Sequence, residues 1–266
     1  MTVKTTADLP ASTIYGPVKS WRLGASLGVD LLYVNSICSF KCLYCQLGKI
    51  HVHSNERKVF VPTERVMADL KASTWKSADV ITFSGNGEPT LAANLGEAIH
   101  EIKAYTHKPI AVLTNATLLN DPKVRFELSE SDQIFCKLDA ADEATFLILN
   151  RPAAGITLKS IVEGIMKLRA EFNGRLAIQT MLMPLNSRGF EQLAELLRKI
   201  QPDEVQLNTP LRPAPRTWSI ETRGNHSAQA LNRVRLKSVN QEQARQIEKQ
   251  LRERTGLKIV SVYPPN

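Results

Sequence analysis

Six short apolar runs recur along the chain, at positions 27–34, 80–83, 109–114, 133–139, 175–183 and 204–208, and a helix-patterned stretch separates each from the next. Val80-Ile81-Thr82-Phe83 shows the β-branched and aromatic make-up of a short strand. The intervening stretches read as helices: one with a candidate N-cap at Thr63 and Val66, Leu70 and Trp75 on its apolar side, then 95–105, 122–128, 158–172 and 188–200. Strict strand–helix alternation implies parallel strands joined by right-handed crossovers. Six units are two short of a closed eight-stranded barrel, so the expected fold is α/β, an open, partial (β/α)6 TIM-like barrel. In such a sheet the loops after the strands' C-terminal ends build the site.

The first run leads directly into Cys38-Ser39-Phe40-Lys41-Cys42-Leu43-Tyr44-Cys45, which holds three of the four cysteines. Thiolates this close in sequence can converge on one centre from a single loop, and soft sulfur ligands select zinc, copper(I) or an iron–sulfur cluster. A [4Fe–4S] cube held by only three thiolates keeps one iron open to an outside ligand. Alternatively His51 or His53 closes a Cys3His zinc site. The triplet alone leaves both readings standing. Cys136, alternating with Lys137 in the fourth run, reads as a core thiol.

The second run breaks into Ser84-Gly85-Asn86-Gly87-Glu88-Pro89-Thr90-Leu91. Gly85 and Gly87 allow a close backbone approach to a ligand, and Glu88 supplies a negative charge for an ammonium group. The fourth run ends at Asp139, which suits either a ligand hydroxyl or the cap of a helix starting near Asp142. Lys137 either lines the cavity or snorkels from its wall. Asn208 and Thr209 close the sixth run ahead of Pro210 and Pro213, which forbid a long helix there.

A length of 266 residues accommodates one barrel-sized domain, or a domain of about 200 residues with an appendage. Hydrophobic and charged shares of 43% and 23% argue against wholesale disorder. No run approaches the roughly 20 apolar residues of a membrane span, and Met1 to Pro10 lacks the apolar run of a secretory signal. Clustered cysteines without a spread of disulfide candidates fit a reducing compartment, so a cytoplasmic location is expected. Between Arg212 and Lys258 eleven Lys or Arg stand against four Asp or Glu, which places +7 of the net +8 there. That excess is either a solvated basic helix or a surface for nucleic acid or an acidic partner. The boundary falls near Leu211, dividing a core at 1–211 from a basic extension at 212–266 that contains a helix at 241–255 and a final strand at 258–262.

Taken as a set, several stretches resemble the radical S-adenosylmethionine (SAM) superfamily, and within it the iron–sulfur oxidoreductases related to wyosine-base synthesis. They are the Cys-x3-Cys-x2-Cys loop with Tyr44 before its last thiol and Gln46-Leu47-Gly48 after it, the bend at 84–91, Tyr15-Gly16-Pro17-Val18, Leu27-Gly28-Val29-Asp30 and the segment 207–213. The resemblance implies the partial-barrel fold and a [4Fe–4S] cluster on Cys38, Cys42 and Cys45 whose open iron chelates SAM. It also implies a flavodoxin- or ferredoxin-type carrier whose electron cleaves SAM to methionine and a 5′-deoxyadenosyl radical for hydrogen abstraction. Gly85, Asn86, Gly87 and Glu88 then form a variant of the Gly-Gly-Glu motif that grips the SAM amino group, with Asn86 set between the glycines. Tyr44 packs near adenine, Asp139 meets the ribose, and Asn208 meets adenine or substrate. RNA is the substrate class that the basic segment from Arg212 to Lys258 would recognise. Wyosine synthetases carry further cysteines for a second cluster, whereas here only Cys136 lies outside the loop, so their pyruvate-dependent reaction is not implied unchanged. The competing function class is a non-catalytic metal-binding module, and the 84–91 bend separates the two, since a structural zinc site needs no SAM-sized polar bend beside it.

Overall fold

The structure, a computed structural model, describes residues 11–33, 35–220, 223 and 233–263. In chain order its strands are β1 (Ile14–Ser20), β2 (Gly24–Val29), β3 (Ile37–Cys38), β4 (Val52–His53), β5 (Val80–Phe83), β6 (Ile110–Thr114), β7 (Gln133–Lys137), β8 (Arg175–Met181), β9 (Glu204–Asn208), β10 (Ala214–Pro215), β11 (Arg233–Val234) and β12 (Ile259–Ser261). The helices are α1 (Thr63–Ala72), α2 (Leu95–Thr106), α3 (Pro122–Leu128), α4 (Glu143–Leu149), α5 (Leu158–Glu171), α6 (Phe190–Ile200) and α7 (Gln241–Thr255). One eight-stranded sheet runs β1-β2-β5-β6-β7-β8-β9-β12, parallel throughout except for β1. The six expected strands are its centre, and this largely parallel α/β sheet is the expected open partial barrel.

Alternation along each strand separates two faces. Leu27, Val29, Ile81, Phe83, Val112, Ile134, Leu176, Ile178, Val205 and Leu207 join the large core that the helices cover. Each such fully buried side chain contributes about 1.5–3 kcal/mol. On the opposite face Val80, Ala111, Phe135 and Ala177 form a small apolar plug with Leu23 and Leu113. Nearer the strands' C-terminal ends that face turns polar, with Thr82, Lys137, Gln179 and Gln206. Lys19 to Arg22, at the end of edge strand β1 and the turn after it, line one cavity with Asn208 to Arg212 at the end of β9 and with Val262 just after the other edge strand, β12, so the sheet curves until its edges face each other.

Four local differences from the sequence reading have identifiable causes. The first strand ends at Val29, not at 34, because Asp30 accepts hydrogen bonds from the backbone N–H groups of Leu32 (3.0 Å) and Tyr33 (3.1 Å) and turns the chain; Val34 lies outside the described residues. The lead-in at 14–20 is a true antiparallel edge strand, β1, on β2. Thr63 is the first residue of α1, with Pro62 in the cap position and the Thr63 hydroxyl donating to Glu97 Oε2 at 2.9 Å; Trp75 belongs to a separate 3-10 turn. Last, β12 pairs in parallel with β9, so the extension drawn from residue 212 supplies a seventh parallel strand to the sheet.

Candidate radical SAM site

The cysteine loop follows β2 and is clamped from two sides. Beneath it, Ile37 N donates to Asn86 O (2.8 Å) and Glu88 N donates to Ile37 O (3.0 Å), tying β3 to the bend after β5. Beside it, Lys41 N donates to Asn150 O (3.0 Å), Leu43 N donates to Leu149 O (2.9 Å), and Phe40 packs edge-on against Phe146 at 5.6 Å, so α4 is a shelf for the loop. Gly87, at φ +153°, is required because a Cβ would lie 1.6 Å from Ile37 O; Gly85, at φ +122°, would press a Cβ to 2.6 Å from the Asp30 carboxyl carbon. The close approach that these glycines permit is thus to the chain's own Ile37 and Asp30.

Cys38, Cys42 and Cys45 are all half-buried, and Cys136 is fully buried on β7. Side-chain amides flank two of the sulfurs: Asn115 Nδ2 lies 3.6 Å from Cys38 Sγ and Asn150 Nδ2 lies 3.5 Å from Cys42 Sγ. The backbone N–H groups of Leu47 and Gly48 serve Cys45. Burial pushes the Cys42 thiol up to about 12, aided by Asp139 and Cys45, and pushes Cys38 well up, aided by Glu88 and by the other two cysteines. The three thiols therefore share one electrostatic neighbourhood that holds them protonated unless a cation enters among them. Iron among them, with N–H groups directed at the sulfurs, is a donor set suited to an iron–sulfur cluster.

A single tetrahedral zinc, with Zn–S near 2.3 Å, would need sulfurs within about 4 Å of one another. Among the described residues no group of three or more His, Cys, Asp or Glu is gathered to hold a metal ion. Of the two histidines near the loop, His51 Nδ1 meets Asn35 Oδ1 at 2.6 Å and His53 Nε2 meets Ser39 O at 3.1 Å.

The other expected site residues lie around this loop. Glu88 is buried, and its carboxylate accepts from Thr90 N (3.1 Å), Thr90 Oγ1 (2.7 Å), Thr114 Oγ1 (2.6 Å) and Asn115 N (2.6 Å). It thereby sets Asn115, which also donates to Ser39 Oγ at 2.8 Å. Asn86 is fully buried, donates to Asp30 Oδ2 (2.6 Å) and accepts from Trp218 Nε1 (3.0 Å), which makes it a joint between three segments. The Tyr44 hydroxyl donates to Asp139, while Lys137 Nζ sits 5.2 Å from the Tyr44 ring centroid and 2.9 Å from Asp139 Oδ1. Asp139 also accepts from Asn150 Nδ2 (2.8 Å) and Met181 N (2.7 Å), so its carboxylate binds the cysteine loop to β7 and β8. Asn208 is half-buried and borders the cavity between the sheet's edges with Thr209 and Met181.

Sequence reasoning missed Asn115, Asn150, Trp218 and Arg223. Asn115 stands one residue beyond β6, where the strand-end rule could have found it, whereas Asn150 caps the far end of α4, the helix expected near Asp142 but not followed to its end. The chain after β9 crosses over the cysteine loop. Gly48, at φ +76°, lies where a Cβ would be 2.8 Å from Thr217 O, Trp218 stands edge-on to His51 at 5.5 Å, and Arg223 forms a buried ion pair with Asp30 at 3.1 Å. Among the described residues no helix is long and apolar enough to cross a membrane.

Comparison with known proteins agrees with this geometry. Residues 32–197 match the family model described as the Radical SAM superfamily. The chain is 50% identical over 215 residues to the UPF0026 protein slr1464 of Synechocystis sp., covering 80% of this chain and 81% of that one. It is 32% identical over 206 residues to the UPF0026 protein MJ1312 of Methanocaldococcus jannaschii, covering 75% of this chain and 64% of that one. Its fold is similar to TYW1 with a lysine-pyruvate adduct bound, at a TM-score of 0.63 and 16% identity over 90% of this chain and 78% of that one. The chain belongs to the radical SAM superfamily, whose members are enzymes with a [4Fe–4S] cluster and S-adenosylmethionine as cofactors.

Proposed function

We propose that Cys38, Cys42 and Cys45 hold one [4Fe–4S] cluster and that the chain couples reductive cleavage of SAM to hydrogen abstraction from an RNA substrate. The observation that carries the cluster assignment is the set of three half-buried thiols on one loop, with amide N–H groups aimed at their sulfurs. Together the cluster and SAM supply the 5′-deoxyadenosyl radical; the protein's part is placement and shielding. The bend at Gly85, Asn86, Gly87 and Glu88 lies directly under Cys38 and presents its backbone to the SAM amino group, with the buried Glu88 charge behind it. Tyr44, fixed by Asp139, flanks adenine and ribose, and Asn208 borders the same opening. An acidic flavodoxin- or ferredoxin-type carrier supplies the electron.

RNA is supported by the distribution of charge once internal pairs are subtracted. Arg223, Lys249, Arg252, Arg254 and Lys258 pair with Asp30, Glu253, Glu248, Glu191 and Glu204, which takes about half of the basic segment out of play. Much of the remaining charge gathers at Arg212, Arg216, Arg235 and Lys237 beside the β10–β11 pair, next to the opening between the sheet's edges. Residues 221, 222 and 224–232 of the segment lie outside the described residues.

Anaerobic reconstitution followed by assay for 5′-deoxyadenosine tests the reading, with about four irons per chain expected. One zinc per chain without cluster absorption would overturn it. Binding to single-stranded RNA should weaken with salt at a log–log slope of about −0.7 per neutralised phosphate.

A further inference from the structure

The cavity between the sheet's edges, about 450 Å³, lies next to the cysteine loop, since Gln46 contributes to its wall. Its lining carries three cations, Lys19, Arg22 and Arg212, and no carboxylate. Arg22 Nη1 is buried without a hydrogen-bond partner, although buried polar groups are paired in nine cases of ten or more. Arg22 is pushed down to about 10 by burial and then by Arg212, and Arg212 is in turn lowered by burial and then by Arg233. The Arg22 and Arg212 guanidiniums are therefore held within repulsion at this opening.

Behind the cavity, on the same face of the sheet, two buried amides are incompletely paired. Met181 and Asn208 line the cavity, and Gln179 and Gln206, two residues earlier on the same faces of β8 and β9, sit paired in register below them. Gln206 donates through Nε2 to Glu204 Oε1 at 2.8 Å, leaving Oε1 buried and unmet; Gln179 Nε2 is likewise buried and unmet. A ligand with an anionic group would meet Arg22 and Arg212 at the opening.

We propose that this cavity is the substrate site and that it takes a phosphate-bearing substrate, with Arg22 and Arg212 holding the phosphate. Two guanidinium forks match the several oxygens of a phosphate better than a lone carboxylate, which one fork would satisfy. This assignment rests on the radical SAM reading for its role, but phosphate binding needs neither the cluster nor SAM, so the two can fail separately. The same chemistry is offered by an internal RNA phosphodiester and by the terminal phosphate of a free nucleotide.

The test is titration of the anaerobically purified full chain with inorganic phosphate, adenosine 5′-monophosphate and a short oligoribonucleotide lacking terminal phosphates. Tryptophan fluorescence reads it, because the exposed Trp21 lines the cavity with the Arg22 guanidinium 5.2 Å from its ring. Saturable binding is expected, weakened about tenfold or more in each of Arg22→Gln and Arg212→Gln, unaltered in Lys159→Gln on α5, and partly restored by Arg22→Lys. SAM affinity should stay unchanged in all four. Tighter binding of the oligonucleotide than of the nucleotide assigns the site to RNA, and the reverse assigns it to a free nucleotide. Absence of phosphate binding, equal binding by the arginine variants, or loss of SAM affinity in them would overturn the proposal, the last by giving the arginines to the SAM carboxylate. Arg212 is more open to solvent than Arg22, so Arg212→Gln decides the matter even if Arg22→Gln fails to fold.

Discussion

Replacing Glu88 by glutamine distinguishes a carboxylate that supports the site from one that grips the cofactor. Glu88 Oε2 accepts from Asn115 N, and Oε1 accepts from Thr90 N, Thr90 Oγ1 and Thr114 Oγ1, all between 2.6 and 3.1 Å. A glutamine must turn one of these acceptors into a donor, and the milder placement puts its NH2 against Asn115 N–H. One buried backbone donor is then orphaned, at about 1–3 kcal/mol. Removing a buried charge offsets part of this, since burial raises the Glu88 carboxyl above its ordinary 4.5. A net loss near 2 kcal/mol corresponds to a fall in Tm of about 4–8 °C for a chain of this size. The sign of the pH dependence follows. A carboxyl whose folded pKa is raised contributes stability that grows as pH falls from that raised value toward 4.5, so the gap between wild type and Glu88→Gln should widen over that window and then level off. Thermal melts across pH, paired with SAM titration of the reconstituted protein, provide the measurement. SAM affinity should fall only modestly, through the shifted Asn115 and Cys38. An unchanged Tm together with abolished SAM binding would refute the argument, because it would mean that the carboxylate faces the ligand.

Alanine at Cys38, Cys42 or Cys45 should each abolish cluster absorption, whereas Cys136→Ala, in the helix-covered core, should keep its iron; iron content and visible absorption compare them. Arg223→Ala leaves Asp30 fully buried and unpaired, a loss of about 3–5 kcal/mol, and adding Asp30→Asn should recover part of it in denaturant melts. Asp142 caps α4 through Thr145 N at 2.8 Å, and that bond holds its carboxyl below the usual 3.8. The cap's charge therefore adds stability above pH 3.8 that is lost as pH falls through the lowered value. Asp142→Asn should lose about 0.3–1 kcal/mol at neutral pH, and its stability should meet that of wild type in acid.

What could be seen in the chain before folding was whatever is local. The strands from β5 to β9 are legible because each alternates between a helix-covered face and the opposite face, a pattern contained in four to seven residues. The place of β12 is not, because three residues carry no address; it joins β9 only after α7 has crossed back over the sheet. The cysteines are legible because their convergence is built into one loop, but the groups that surround them come from far along the chain. Asn115 reaches Cys38 across 77 positions, Asn150 reaches Cys42 across 108, Trp218 reaches Asn86 across 132 and Arg223 reaches Asp30 across 193. The glycines show the limit most sharply. That Gly85 and Gly87 admit a close neighbour follows from residue type alone, yet that the neighbours are Asp30 and Ile37 depends on β2 and β5 lying side by side, which sets the cysteine loop on the bend. Glu88 follows the same logic: its charge was visible, but β6 must lie beside β5 before Thr114 and Asn115 can turn that charge into the support beneath Cys38.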